Sequence, residues 1–234
     1  MQEIRDYWKK YADENWAIPG SASEQTGNSY DSEALFFVRM DEIRRNLYLD
    51  SSAVVLDLGG GVGWVAWCLA PYVAKWIVVD HSGKSIEMAR GICGGIPNVE
   101  MVEADMVDYK INCKPSRILL AGALLYLGSV EAAMGVIKGI YDSVNYGSIV
   151  LIMQLPNLQF RDSGAIKSID LISKLIWFDP FTLAKSCSDI GFRLIDVFQP
   201  DGRHTHSRQM FSLWRYVDAG ESGSSPFMLS HLWR

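Results

Sequence analysis

Asp57 is followed by Gly59, Gly60, Gly61 and Gly63, at the end of the apolar run Val54-Val55-Leu56. Glycine tolerates positive φ and carries no Cβ, so this stretch lets a ligand lie close to the main chain. Two further carboxylates fall at the ends of candidate strands. Asp80 ends Trp76-Ile-Val-Val, 21 residues after Gly59, and Asp105 follows Val99-Glu-Met-Val-Glu-Ala. An acidic residue at the Asp80 spacing can accept hydrogen bonds from both ribose hydroxyls of a nucleoside. Asp105 can accept from an adenine amino group. Asp57 has two roles open to it: tying down the glycine-turn amides or meeting a ligand ammonium. The pyrophosphate fingerprint G-x-G-x-x-G fails, because Trp64 stands where its third glycine belongs, and no Gly-Lys-Ser/Thr stands at P-loop spacing after the glycine turn.

Side chains able to orient or deprotonate a second reactant are Tyr126, His204, His206, Tyr11 and Tyr30. The two histidines lie in Asp201-Gly-Arg-His-Thr-His206, a turn between two C-terminal strands, where they are either functional or simply solvated. No thiol or carboxylate motif accompanies them, so no metal site is expected. Trp8, Tyr11 and Trp16 form an aromatic segment that either packs as a helix or covers a site. Aromatic faces also attract cations, by about 0.5–2 kcal/mol. Trp64, at the start of the helix after the glycine turn, either projects toward the ligand or packs.

These residues need a scaffold, and the hydrophobic pattern supplies one. Residues 2–14 read as a helix and 20–29 as a polar loop. Phe36, Met40, Ile43 and Leu47 mark one face of a second helix, capped by Ser32, and read as core or pocket wall. From residue 53 onward, strands at 53–58, 76–80, 99–103, 117–122 and 148–154 alternate with helices near 62–74, after Ser82, and from Ser129 to Val144. Asp179-Pro180 starts another helix and Gly191 ends it, before strands at 192–199 and 208–217. Alternation of this kind predicts one doubly wound, mostly parallel sheet in an α/β fold. Three parts follow: a helical cap or lid over 1–50, the sheet domain over 51–217 with a substrate insertion at 156–178, and a tail over 218–234.

With 234 residues, 49% of them hydrophobic, the chain can bury a full core. A net charge of −5 argues against a general nucleic-acid binder. No apolar run reaches the ~18 residues of a membrane span, and the polar N-terminus does not read as a secretory signal. Cys68, Cys93, Cys113 and Cys187 form no C-x-x-C pair and read as thiols in a reducing compartment, so a cytoplasmic location is expected.

Four stretches together resemble the motifs of class I S-adenosylmethionine-dependent methyltransferases of the small-molecule type. They are Val54-Val-Leu-Asp-Leu-Gly-Gly-Gly-Val-Gly63, Val78-Val-Asp-His-Ser82 with Ile86-Glu-Met-Ala-Arg90, Asn98-Val-Glu-Met-Val-Glu-Ala-Asp105, and Ile118-Leu-Leu-Ala-Gly-Ala-Leu-Leu-Tyr-Leu127. The resemblance implies a Rossmann-like, three-layer αβα fold with a seven-stranded sheet whose last strand is antiparallel. It implies S-adenosylmethionine as cofactor and S-adenosylhomocysteine as product. It places Gly59, Gly60 and Gly61 at the methionine moiety, Asp80 at the ribose, Asp105 at the adenine, and His81 and Met106 beside the adenosine, with Asp57 counted among the cofactor-binding positions in either of its two roles. Ala121 and Gly122 would border the methyl group. Tyr126, His204 and Tyr11 are the catalytic candidates, and the expected partner is a small molecule methylated on O, N or C, with a homodimer left open. Competing readings are a binding module without transfer and a nicotinamide-dependent reductase. The latter is disfavoured by Trp64 and by the lack of a Tyr-x-x-x-Lys motif.

Overall fold

The computed structural model describes residues 33–156, 158, 175–198 and 209–216. Its elements are α1 (Glu33–Asn46), β1 (Val54–Leu58), α2 (Trp64–Leu69), β2 (Lys75–Asp80), α3 (Gly83–Cys93), β3 (Val99–Glu103), β4 (Arg117–Ala121), α4 (Val130–Ser143), β5 (Ile149–Pro156), α5 (Pro180–Ile190), β6 (Phe192–Phe198) and β7 (Gln209–Tyr216). The expected helix at 2–14, the loop at 20–29, the Ser32 cap, most of the 156–178 insertion and the tail from 218 lie outside the described residues.

The strands form one sheet in the order β3-β2-β1-β4-β5-β7-β6. The five strands from β1 to β5 pair in parallel, and β7 runs antiparallel to both its neighbours. The alternation read from the sequence thus yields the doubly wound α/β sheet. Successive residues of each inner strand face opposite layers. On one side Leu56, Ile77, Ile118 and Val150 pack with Val136, Ile137 and Ile140 of α4 and Leu183 of α5. On the other, Val55, Trp76, Leu119 and Leu151 pack with Ala66 of α2, Ile86 of α3 and the α1 face Phe36, Met40, Ile43 and Leu47. That α1 face is thereby core, sharing a cluster with the central strands.

Local signals set the helix ends. Ser82 Oγ accepts from Ser85 N at 3.2 Å, Ser129 Oγ from Ala132 N at 3.1 Å, and Asp179 Oδ1 from Thr182 N at 2.7 Å, with Pro180 at the first helical position. Each satisfies an amide that a helix start leaves open. The helix expected over 62–74 is shorter: α2 ends at Leu69, and a 3₁₀ turn over Ala70–Tyr72 follows. Pro71 in that turn has no N–H to continue the α ladder.

Candidate cofactor and acceptor site

β1 and β4 are adjacent, but β2 and β3 extend the sheet one way and β5 the other. The crevice beyond the carboxyl ends of β1 and β4 is therefore the switch point where open α/β sheets take ligands. The glycine turn closes one side of it. The amides of Gly59 and Gly60 both donate to Val79 O, at 2.8 and 3.2 Å, which folds the turn against the end of β2.

The three glycines serve different ends. A Cβ on Gly59 would stand 2.7 Å from Ala123 Cβ and 3.1 Å from Met106 Cε, and one on Gly60 would stand 2.8 Å from Val78 Cγ1 and 2.9 Å from the Asp57 carboxyl. Both are glycine because the protein itself fills the space. Gly61 has φ of 57° and no described atom within 4 Å of its Cβ position, so among the three it alone presents backbone that no described residue covers.

Asp80 organises this turn. Its Oδ2 accepts from Gly61 N at 3.0 Å and its Oδ1 from Ser82 N at 2.9 Å. Burial raises its pKa above the ordinary carboxylate value, against the Ser82 amide, the neighbouring His81 and the Gly61 amide. Each oxygen keeps a second lone pair for a ligand hydroxyl. His81 Nδ1 lies 3.6 Å from Asp80 Oδ1, and its Nε2 is buried without a partner among the described residues. Ala104 N donates to Asp80 O at 2.9 Å, which brings Asp105 beside this group. Asp105 Oδ1 accepts from Val107 N at 2.9 Å. Next to it a cavity of about 370 Å³ opens between Met106, Tyr109 and Ile111 on one side and Gly135 and Gly139 of α4 on the other.

The Asp57 carboxyl lies beneath the turn, 2.9 Å from where a Gly60 Cβ would stand, and is engaged from the neighbouring strand. It is 1% exposed, and its Oδ2 accepts from the Trp76 indole Nε1 at 3.2 Å. Burial drives its pKa up to about 7, the Trp76 hydrogen bond opposing the shift and the Asp80 charge adding to it. It is a group beneath the turn. The indole is 19 residues away in sequence and meets it only because β1 and β2 pair side by side.

Across the crevice, β4 ends at Ala121 and the chain turns at Gly122, with φ of 64°. Tyr126, half-buried, packs on the α4-side core. Trp64, also half-buried, stacks edge-to-face on Trp67 at 5.2 Å and packs on the opposite core. Tyr11, Tyr30, His204 and His206 lie outside the described residues. Among the described residues, no group of three or more His, Cys, Asp or Glu side chains is placed to hold a metal, and no helix is long and apolar enough to cross a membrane.

Sequence reasoning missed Gln154. It sits in β5 where the pairing with β7 slips between Ile152 and Leu155, and its φ is 60°. A non-glycine residue held there costs about 1–3 kcal/mol, and such strain clusters at functional sites. Nothing in the local sequence signals it, because the bulge arises from the strand pairing.

No protein-family model matches the sequence, and neither does any curated protein. Solved structures do. The N-methyltransferase NodS from Bradyrhizobium japonicum WM9, in complex with S-adenosyl-L-homocysteine, aligns over 92% of this chain and 99% of its own with a TM-score of 0.70 at 13% identity. DhpI in complex with SAH aligns over 92% and 96%, TM-score 0.66, at 14% identity. Magnesium protoporphyrin IX methyltransferase (ChlM) from Synechocystis PCC 6803 with bound SAM aligns over 92% and 96%, TM-score 0.65, at 13% identity. At the level of fold, this chain is built like these methyltransferases.

Proposed function

We propose that the protein is an S-adenosylmethionine-dependent methyltransferase acting on an O, N or C nucleophile of a small molecule. The observation that carries this reading is the conjunction of Gly61, the turn glycine whose Cβ position no described atom approaches within 4 Å, with Asp80, whose carboxylate holds the Gly61 amide. Asp105 and Met106 stand beside them, as an adenosine site requires. The sheet order, with β7 as its antiparallel strand, supports the seven-stranded form of the fold. The same ligands in the similar structures, SAH and SAM, support the choice of cofactor.

When bound, S-adenosylmethionine supplies an electrophilic methyl: the acceptor's lone pair bonds to the methyl carbon, the C–S pair stays on sulfur, S-adenosylhomocysteine forms, and any acceptor proton passes to a base or solvent. The chain's own residues then mainly hold the reactants in line, a contribution that can reach about 7–11 kcal/mol. Asp80 fixes the glycine turn and would receive the ribose. Asp105 would receive the adenine amino group, with His81 and Met106 flanking it. Asp57 supports the turn from below, and Ala121 and Gly122 border the acceptor side without charge. Tyr126, Tyr11 and His204 remain the candidates for general base, and residues 1–50 and 156–178 for the acceptor pocket.

The four cysteines are free thiols, which favours a reducing compartment such as the cytoplasm. Calorimetric titration of the protein with S-adenosylhomocysteine tests the reading. Saturable one-site binding is expected, and a folded protein that binds neither it nor S-adenosylmethionine overturns the proposal.

A further inference from the structure

Gln154 and Gly122 form a pair across the ends of β5 and β4. The Gln154 Oε1 lies 2.7 Å from where a Gly122 Cβ would stand, so any other residue at 122 would displace the carboxamide. Gly122 N donates to Met153 O at 3.0 Å and locks the two strand ends together. Both residues hold positive φ, 64° and 60°. Only the glycine does so without strain, so the fold carries a cost at Gln154 that another backbone path would avoid.

Among the described residues that cost has no return. The Gln154 side chain is half-buried, yet among the described residues no hydrogen bond engages its carboxamide. Half-buried amides ordinarily find partners, because leaving them unpaired forfeits hydrogen bonds to water. The side chain lies against Gly122 at the ends of β4 and β5, the edge to which the methyltransferase reading assigns the acceptor. The described residues of that edge, 121–127 and 153–156, carry no carboxylate, imidazole, ammonium or guanidinium group. The carboxamide and the Tyr126 hydroxyl are the polar side-chain groups there.

We propose that Gln154 receives the methyl acceptor: its carboxamide oxygen accepts a hydrogen bond from the N–H or O–H of the attacking heteroatom and so aims the lone pair at the methyl position. This rests on the methyltransferase reading and narrows it, since it selects acceptors that carry hydrogen on the nucleophilic atom. A carboxamide takes up no proton, so Gln154 orients the acceptor without serving as its base.

Two probes test this without knowledge of the acceptor. In sinefungin, a carbon-borne amine replaces the methyl-sulfonium group, so its N–H donors project where the transferred methyl would. S-adenosylhomocysteine has nothing there. Binding of both is measured by calorimetry to the wild type, Gln154→Leu, Gln154→Gly and Gln154→Glu. The leucine and glycine variants are expected to lose about tenfold or more in sinefungin affinity, as for a hydrogen bond to a charged group, while S-adenosylhomocysteine affinity changes less than about twofold. Gln154→Glu keeps an acceptor oxygen and is expected to retain the sinefungin preference. Gln154→Gly relieves the backbone strain, so it folds and melts at or above the wild-type temperature even if the leucine variant does not fold. An unchanged sinefungin-to-S-adenosylhomocysteine ratio in Gln154→Gly overturns the role of Gln154 and leaves the methyltransferase reading standing. Failure of the wild type to bind either compound overturns both.

Discussion

Replacing Asp57 with asparagine should change how stability depends on pH. In the folded protein burial holds the Asp57 carboxyl at a pKa of about 7, against an ordinary value of 3.8. Below the lower value both folded and unfolded states are protonated, and above the upper one both are ionised. Between them the folded state keeps a proton that the unfolded state has released, so stability falls as pH rises, by about 1.4 kcal/mol per pH unit. From pH 5 to pH 7 the loss attributable to this carboxyl is on the order of 2–3 kcal/mol. An asparagine cannot ionise and still offers an oxygen to the Trp76 indole. The stability difference, Asp57→Asn minus wild type, should therefore grow by about 2–3 kcal/mol between pH 5 and pH 7.5 and then level off.

Urea unfolding at half-unit pH steps measures this directly, provided the m-values of the two proteins agree. Asp80 and Glu42 are also shifted upward by burial, and their slopes have the same sign, so the difference between variants is the informative quantity. Trp76→Phe supplies a second arm. It removes the hydrogen bond that opposes the shift, so the wild-type inflection near pH 7 should move upward. A difference between Asp57→Asn and wild type that stays flat across this range would show that the carboxyl is not held protonated, and would refute the buried-acid account of the turn.

The turn glycines should separate folding from binding. Gly60→Ala drives a methyl into Val78 and Asp57 and should cost about 1–3 kcal/mol by urea unfolding. Gly61→Ala meets no described atom, should cost about 1–2 kcal/mol through its φ, and should in addition weaken S-adenosylhomocysteine binding in calorimetry. Asp80→Asn leaves one carbonyl oxygen to serve both the Gly61 and Ser82 amides, so S-adenosylhomocysteine affinity should drop about ten- to a hundredfold while far-UV circular dichroism is unchanged. Burial pushes the Cys187 thiol up to about 12 and the Cys93 thiol up to about 11. Half-buried Cys68 and Cys113 should thus react first with a thiol reagent at pH 8, read by mass spectrometry of the labelled native protein.

The sequence showed those parts of the site whose cause is local. The positions of Asp80, which ends β2, and of Asp105, two residues past β3, are legible because each follows a stretch that reads as a strand, and a residue there falls at the carboxyl end of the sheet. Ser82 and Asp179-Pro180 are legible because capping involves neighbours three residues apart. The division of labour among Gly59, Gly60 and Gly61 was not legible. It depends on Ala123, Val78 and Asp57 coming from other strands, and all three glycines look alike in a string. The Asp57–Trp76 bond and the Gly122–Gln154 pair were hidden for the same reason: each joins residues brought together only by strand register. Tyr126 was singled out by its place in a motif, and the structure adds that its ring packs on the core beside the strand end.

The two sides of the crevice differ in charge, and the proposed chemistry gives a reason. The ends of β2 and β3 carry carboxylates, Asp80 and Asp105, on the side where the proposed function seats the adenosine, the part that does not react. The ends of β4 and β5 present Ala121, Gly122 and Gln154. Methyl transfer removes positive charge from sulfur, so a carboxylate beside the methyl would favour the ground state over the transition state and raise the barrier. A carboxamide orients without that penalty. The ends of the 156–178 insertion close at this same neutral edge: Phe178 N donates to Pro156 O at 2.9 Å, Leu158 N to Phe178 O at 2.9 Å, and Ile176 N to Leu125 O at 3.0 Å. The insertion therefore leaves and rejoins the fold beside Gln154, anchored both to β5 and to the turn after β4. The closure cost of a loop grows only slowly with its length. On the proposed function, residues between these anchors would vary with the acceptor while the carboxylate side stays fixed, which would make acceptor choice separable from cofactor binding.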